Sequence, residues 1–337
     1  MKKKIILAGG TGLIGRLLAR HFRSEGYQVI VLTRGRDRSE NGIEHVHWAP
    51  PGPIGLRDRL EGAAAVIGLN GASVDNRYTK ANKWEIIHSR ISSTIAIGDA
   101  IKRCIDPPEL WIQLSTATIY RHAEDRPMDQ FTGEIGNGFS VEVARTWEAV
   151  AQAALDPDRK RTRLVLLRSA MVLSTLGGVL PRLAALTRIG LGGRHGSGEQ
   201  FVSWIHGKDL VRAIEFIMHS QKAEGVYDLA APEPVRDRML MEALRAHIRP
   251  WVHFPKPKWM LEVGAFFMRT ETELILKSRR VVPTRLLQEG FEFDLPGITS
   301  ALVDLLGRKE QPSSRPVNIA PSLAGGACEQ DRAWPIS

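Results

Sequence analysis

The sequence predicts an α/β chain built on a parallel sheet. Three observations predict it. A short apolar run, Lys4–Ala8, leads directly into Gly9-Gly10-Thr11-Gly12-Leu13-Ile14-Gly15. Apolar residues then recur at Leu13, Leu17, Leu18 and Phe22, one face of a helix, with Gly26 where that helix should stop. Residues 28–32 form a second apolar run. Strand, glycine turn, helix and strand follow one another as a dinucleotide fingerprint requires.

Composition sets the outer limits. The chain has 337 residues, 43% apolar and 25% charged, which excludes disorder along its whole length. A chain this long buries a core without disulfide or metal staples. The two cysteines, Cys104 and Cys328, have neither metal nor redox spacing, and a reducing cytosol is the simplest compartment. The net charge of +9 is scattered. Its densest cluster, Arg159, Lys160, Arg161 and Arg163, reads as a solvated loop before a strand. No basic stripe with interleaved aromatics points to nucleic acid. No apolar stretch reaches the ~18 residues of a membrane span. Lys2, Lys3 and Lys4 before Ile5 imitate an export signal, but glycines and Arg16 interrupt the run at once.

Each glycine of the first turn has its own physical task. Gly9 permits the tight turn, Gly12 lets backbone approach a pyrophosphate, and Gly15 lets the helix pack closely on the strand. The amides of Thr11, Leu13 and Ile14 then open the helix, whose N-terminus favours phosphate. The end of the second strand selects the cofactor. NAD enzymes carry a carboxylate there for the ribose 2′-hydroxyl. This chain has Thr33-Arg34-Gly35-Arg36, and a guanidinium binds a 2′-phosphate bidentately. The expected cofactor is therefore NADP(H).

Later segments follow in order. Asn70-Gly71-Ala72-Ser73 closes the apolar run at residues 63–69. Lys83-Trp84-Glu85-Ile86-Ile87 leads to Ser89-Arg90-Ile91-Ser92-Ser93-Thr94. Leu167-Arg168-Ser169, Gly177-Gly178 and Gly190-Leu191-Gly192-Gly193 come next. Gly196-Ser197-Gly198-Glu199-Gln200, Ser203-Trp204-Ile205-His206 and Val281-Val282-Pro283-Thr284-Arg285 complete the set. Together they resemble the atypical extended short-chain dehydrogenase/reductases, the NAD-dependent epimerase/dehydratase-like family with a C-terminal domain of unknown function. The likeness covers residues 3–305. It implies a NAD(P)-binding Rossmann fold, a doubly wound parallel sheet, with a smaller C-terminal α/β subdomain for the substrate. The expected division is 1–165 for the dinucleotide-binding core, 166–306 for the remaining strands and substrate subdomain, and 307–337 for a mobile tail rich in Pro, Ser, Gly and Ala. The resemblance also implies that Asn70, Gly71, Ala72, Arg90, Leu114, Ser115 and Arg168 border the cofactor.

The catalytic pair of that family is missing. Short-chain dehydrogenases use a Ser or Thr together with a Tyr and a Lys one helical turn apart. No Tyr-x-x-x-Lys occurs around any of the 4 tyrosines. Alignment on Glu148 puts Ser140 and Ala144 at those positions. Ser115 and Thr116 are the candidates for the hydroxyl, and Tyr120 for a substitute proton donor. Arg90 is a candidate for an anionic group, and Glu142 and Arg145 either face the vacated site or pair with each other.

In the second half, residues 192–200 with Arg194 and His195 form a glycine-rich loop that caps the substrate pocket in extended relatives. His206 reads as a structural histidine, and Asp209 as the cap of a helix over residues 210–219. His45 and His47 alternate on a strand without a third ligand, so no metal is expected. No G-x-S-x-G elbow marks a hydrolase. Two functions remain. One is an NADP(H)-dependent oxidoreductase or epimerase-like protein acting on a small carbonyl or alcohol, as a monomer or homodimer. The other is a non-catalytic NADPH-binding sensor.

Overall fold

The alternation along β1 (Lys4–Ala8) fixes both faces of the sheet. Ile5 and Leu7 face one helical layer, Ile6 and Ala8 the other, and all four are fully buried. A strand buried on both faces belongs inside a parallel sheet covered by helices on each side. The computed structural model describes residues 3–50, 55–74, 76–155, 161–248 and 277–307.

Among the described residues the strands after β1 are β2 (Gln28–Thr33), β3 (Arg38–Glu40), β4 (Ile43–His47), β5 (Ala65–Gly68), β6 (Leu110–Thr116) and β7 (Arg163–Ser169). They continue with β8 (Met171–Leu173), β9 (Phe201–Val202), β10 (Trp204–His206), β11 (Gly225–Leu229) and β12 (Val235–Arg236). The main sheet runs β11-β7-β6-β5-β1-β2-β4-β3. All its pairs are parallel except β3 with β4. The strand order reverses at β1, between β2 and β5, and ligands of open α/β sheets bind at such a switch point.

One layer holds α1 (Leu13–Ser24) and α6 (Gly207–His219). It buries Leu18, Ala19 and Phe22 with Leu210, Ala213, Ile214 and Ile217. The other holds α2 (Leu56–Leu60), α3 (Lys80–Arg103) and α4 (Phe139–Ala153), packed around Ala96, Ile97, Ala100 and Trp111. The division expected after residue 165 falls inside β7. The chain leaves the sheet after Ser169 and returns as β11.

Between and after these strands lie α5 (Val179–Arg188), α7 (Asp237–His247), α8 (Thr284–Gln288) and α9 (Ile298–Leu306). Helices α5, α7 and α9 share a second core with Leu173 and Trp204. β8 pairs with β10, and β9 with β12, as two small sheets beside the main one. Of the expected basic cluster, Arg159 and Lys160 lie outside the described residues. Arg161 donates to the Ile105 carbonyl at 2.9 Å, and Arg163 to those of Ser220 and Ala223 at 2.9 and 2.7 Å. The tail beyond Gly307 and Cys328 also lies outside the described residues. None of the described helices is long and apolar enough to cross a membrane.

Asp209 does not cap α6. The helix begins at Gly207, and His206 caps it, its Nδ1 accepting from the Lys208 amide at 3.0 Å. Asp209 is fully buried and instead accepts from the amides of Asp294 (2.9 Å) and Leu295 (3.0 Å), tying the C-terminal segment to the helix. Burial holds the His206 imidazole below the usual histidine range, which nearby Asp304 offsets only in part. The neutral ring is thus the folded form. Its contribution to stability is complete above the unfolded pKa and is lost as pH falls through the folded one. His206→Asn keeps a capping oxygen without the titration. Urea unfolding at pH 7.5 and 5.5 is expected to show a smaller acid-induced loss of stability in this variant than in the wild type.

Candidate functional site

The glycine turn stands at the carboxyl end of β1. Gly9 has φ +80°, and a side chain there would meet the Asn70 backbone at 3.0 Å. A Cβ on Gly15 would lie 2.2 Å from the Gly10 carbonyl oxygen, so α1 reaches the turn only without one. Gly12 faces open space, with nothing within 4 Å of a Cβ. It is also the N-cap of α1, which has no side-chain cap and no acid in its first turn. Free amides and a partial positive charge are left at that helix end.

A cleft of about 490 Å³ opens over this turn. Of the residues expected at a cofactor, Gly9, Thr11, Gly12, Thr33, Arg34, Asn70, Gly71 and Ala72 line it together. Leu13 and Ile14 open the helix beside it. Asn70, which lines the cleft, leaves Oδ1 buried without a partner among the described residues, an acceptor that a ligand hydroxyl would satisfy. Glu85 is the one carboxylate among the described lining residues, and it stands on α3, away from the β2 end. Asp37, which follows the arginines, is turned back to accept the His47 amide. Trp48, His88, Ser89, Ser92 and Ser93 complete the wall. Of these, His88, Ser89, Ser92 and Ser93 repeat along the α3 face at helical spacing, a pattern visible in the sequence but not used there.

Other expected cofactor residues stand elsewhere. Arg36 is exposed and lines neither cavity. Arg90 lies behind the turn, donating to the carbonyls of Ala72 (3.2 Å) and Ile86 (2.9 Å), with its guanidinium 5.0 Å from the Trp147 ring. Burial pushes it down to about 10. It fills the space a side chain on Gly71 would take, at 2.8 Å, and so shapes the turn rather than the cleft surface. Leu114 packs on the core face of the sheet.

Ser115 and Arg168 belong to a buried polar chain. Ser115 Oγ donates to Glu148 at 2.6 Å. Arg168 grips Glu148 with two bonds of 2.9 and 2.8 Å and donates to Tyr120 Oη at 2.9 Å. Tyr120 in turn donates to the Asp228 carboxylate at 3.0 and 2.9 Å. Burial pushes the Tyr120 phenol far above its usual range, with Asp228 adding to the effect, and pushes Asp228 up to about 7. Tyr120 is 1% exposed and lines neither cavity, so the structure does not bring it to a substrate. Ser140 and Ala144 sit on the buried side of α4, where Ala144 is core, while Glu142 and Arg145 are exposed.

Thr116, in contrast, is half-buried and lines a second cavity of about 550 Å³ with Ala117 and Thr118. Its Oγ1 accepts from the Thr118 amide at 3.2 Å and lies 3.1 Å from Thr118 Oγ1. Strand alternation decides between the two hydroxyls: Ser115 points to the buried face and Thr116 to the cavity. The turn after β5 borders both spaces, since residues 69–72 line the first cavity and Ser73 and Val74 the second. The rest of the wall mixes apolar Met171, Val179, Leu183 and Leu240 with cationic Arg182, Lys277 and Arg279. His195 and Asp237 also line it, joined by a bond of 2.8 Å. The His195 loop stood out in the sequence, but its distant partner did not.

A helix-terminal cleft beside a cavity with hydroxyls, cations and a His–Asp pair is suited to hold a dinucleotide against a small polar compound. The model for the NAD dependent epimerase/dehydratase family matches residues 5–230. The chain belongs to that family. A domain of unknown function, DUF1731, matches residues 257–305. An epimerase family protein of Staphylococcus saprophyticus is 31% identical over 309 residues, covering 90% of this chain and 99% of that one. The crystal structure of the human epimerase family protein SDR39U1 with NADPH is similar at a TM-score of 0.77 and 26% identity, covering 90% of this chain and 99% of that chain. A nucleoside-diphosphate sugar epimerase from Corynebacterium glutamicum is similar at a TM-score of 0.72 and 26% identity, covering 91% of this chain and 59% of that one.

Two outcomes are expected from these contacts. Tyr120→Phe leaves Asp228 and Arg168 short of a buried partner and costs about 1–3 kcal/mol in urea unfolding, without weakening cofactor binding. Gly15→Ala forces α1 away from Gly10 and weakens dinucleotide binding, measured by calorimetry, more than Gly26→Ala at the far end of the helix.

Proposed function

We propose that this family member binds NADP(H) across the glycine turn and interconverts a small carbonyl compound and its alcohol in the adjoining cavity. One observation carries the reading: the cleft has Arg34 and no carboxylate at the β2 end, and the turn after β5 also borders a second cavity lined by Thr116 and Thr118. A 2′-phosphate is matched by a guanidinium and repelled by a carboxylate. The NADPH in the human relative supports the same choice.

When bound, the nicotinamide supplies or accepts the hydride, and the protein contributes position and electrostatics. Thr116 and Thr118 hydrogen-bond the substrate oxygen. Arg182, Lys277 and Arg279 add polar groups to the same wall. Sugar-nucleotide epimerisation is disfavoured, because its oxidation step uses the Tyr base for which this chain has Ser140.

A regulatory NADPH-binding protein is the competing reading, and buried Ala144 at the lysine position is what favours it. The second cavity favours the enzyme, since a sensor of the cofactor alone needs no further ligand site.

Fluorescence titration with NADPH and NADH tests the cofactor. Arg34→Ala is expected to weaken NADPH by about 10- to 100-fold, the value of a charged hydrogen bond, and NADH little. Equal binding of both cofactors by the wild type would sink the 2′-phosphate argument. Deuterium transfer from labelled NADPH to an aldehyde, ketone or 2-oxo acid identifies the enzyme. Tight NADPH binding with no transfer to any of these classes identifies the sensor.

A further inference from the structure

We propose that His195 is the catalytic proton donor and acceptor of the second cavity, held in its working tautomer by Asp237. The proposal rests on the carbonyl–alcohol reading above and supplies the proton carrier that reading lacks. His195 Nδ1 is 2.8 Å from Asp237 Oδ1, and the other carboxylate oxygen accepts the His195 amide at 2.7 Å. The carboxylate is acceptor-only when ionised, so it fixes the proton on Nδ1 and leaves Nε2 as the free position. The two side chains are 20% and 5% exposed, and both line the cavity that Thr116 lines. Nε2 takes no partner among the described residues.

The placement is built by two distant segments. Asp237 is the first residue of α7, where helix amides favour its negative charge. Its own amide donates to the Gln200 carbonyl at 2.9 Å, and Gln200 Nε2 donates to the His195 carbonyl at 2.9 Å. Gly196 and Gly198, at φ +57° and +76°, fold the loop between them. A histidine oriented through Nδ1 by a buried carboxylate, with Nε2 toward the reacting atoms, is the arrangement that moves protons in acyl-transfer enzymes on unrelated folds. Here it lines one cavity with the hydroxyls of Thr116 and Thr118 instead of a serine nucleophile. The other charged residues lining the cavity are Asp237 on α7, Arg182 on α5, and Lys277 and Arg279 on the C-terminal segment, while Arg194 precedes His195 in the loop and packs on Gly198 with Arg238.

In the reductive direction, hydride from bound NADPH forms the new C–H bond as the C4–H bond breaks. The carbonyl π pair moves onto oxygen, and that oxygen takes the proton from Nε2 of the imidazolium. The products are alcohol, NADP⁺ and neutral His195, which regains a proton from solvent. Oxidation of the alcohol runs the same steps backwards, with neutral Nε2 accepting the hydroxyl proton.

The same contacts also staple the loop, so the test must separate chemistry from structure. His195→Asn keeps a donor for Asp237 and the loop in place. Single-turnover oxidation of NADPH is followed against a panel of aldehydes, ketones and 2-oxo acids, with NADPH affinity measured in parallel. The expected result is a loss of about 10²- to 10⁴-fold in the hydride-transfer rate, unchanged NADPH affinity, a flattened pH profile and partial rescue by added imidazole. Transfer within tenfold of the wild type, with its pH profile retained, overturns the role of His195 and leaves the reductase reading standing. No transfer by the wild type overturns both. Spectra of ¹⁵N-labelled histidine, read without cofactor or substrate, are an independent check: neutral His195 is expected to carry its proton on Nδ1. A proton on Nε2 would falsify the assignment.

Discussion

The contact on which the site depends is backbone against backbone, where α1 begins at Gly12 and passes Gly10 at Gly15. The separation leaves no room for a single Cβ at Gly15. That approach sets the angle at which α1 crosses β1. It therefore sets where the uncapped helix end points and how Leu18, Ala19 and Phe22 meet the sheet. The Asn70 turn closes against Gly9 from the next strand, so two loops at the switch point share one surface. A helix end left uncapped by such packing offers free amides, the main-chain geometry that favours anions.

A second constraint is a buried polar chain that ties four elements together. Ser115, Glu148, Arg168, Tyr120 and Asp228 form one hydrogen-bonded chain linking β6, α4, β7 and β11. Buried charges are tolerable only when paired and bonded, and every member here has a partner. Ala144 and Val141 supply apolar packing on the same helix as Glu148. The residues that look most chemical in the sequence are thus consumed in holding strands together. Thr116, Thr118 and the His195–Asp237 pair instead line the second cavity, with Arg182, Lys277 and Arg279.

The two cavities differ in how they are made. The first is built from consecutive turns at strand ends of one sheet. The second is assembled from β6, the turns after β5 and β7, α5, the glycine loop and the segment after residue 276. Its walls rest on a separate core of Leu173, Leu183, Leu240 and Leu302.

The sequence alone determined the α/β class, the β1–turn–α1–β2 unit and the residues 9–15 turn, because these depend on local periodicity and on glycines whose neighbours are near in the chain. It also marked Arg34 and Asn70-Gly71-Ala72, which follow strand ends directly. Tertiary structure alone decided the rest. Strand pairing and alternation turned Ser115 inward and Thr116 outward. Burial placed Tyr120 against Asp228, separated by 108 residues, and withdrew Arg168 and Arg90 from the ligand surface. Asp237 met His195 across 42 residues. Such partnerships leave no trace in local spacing, because they exist only once distant elements have packed.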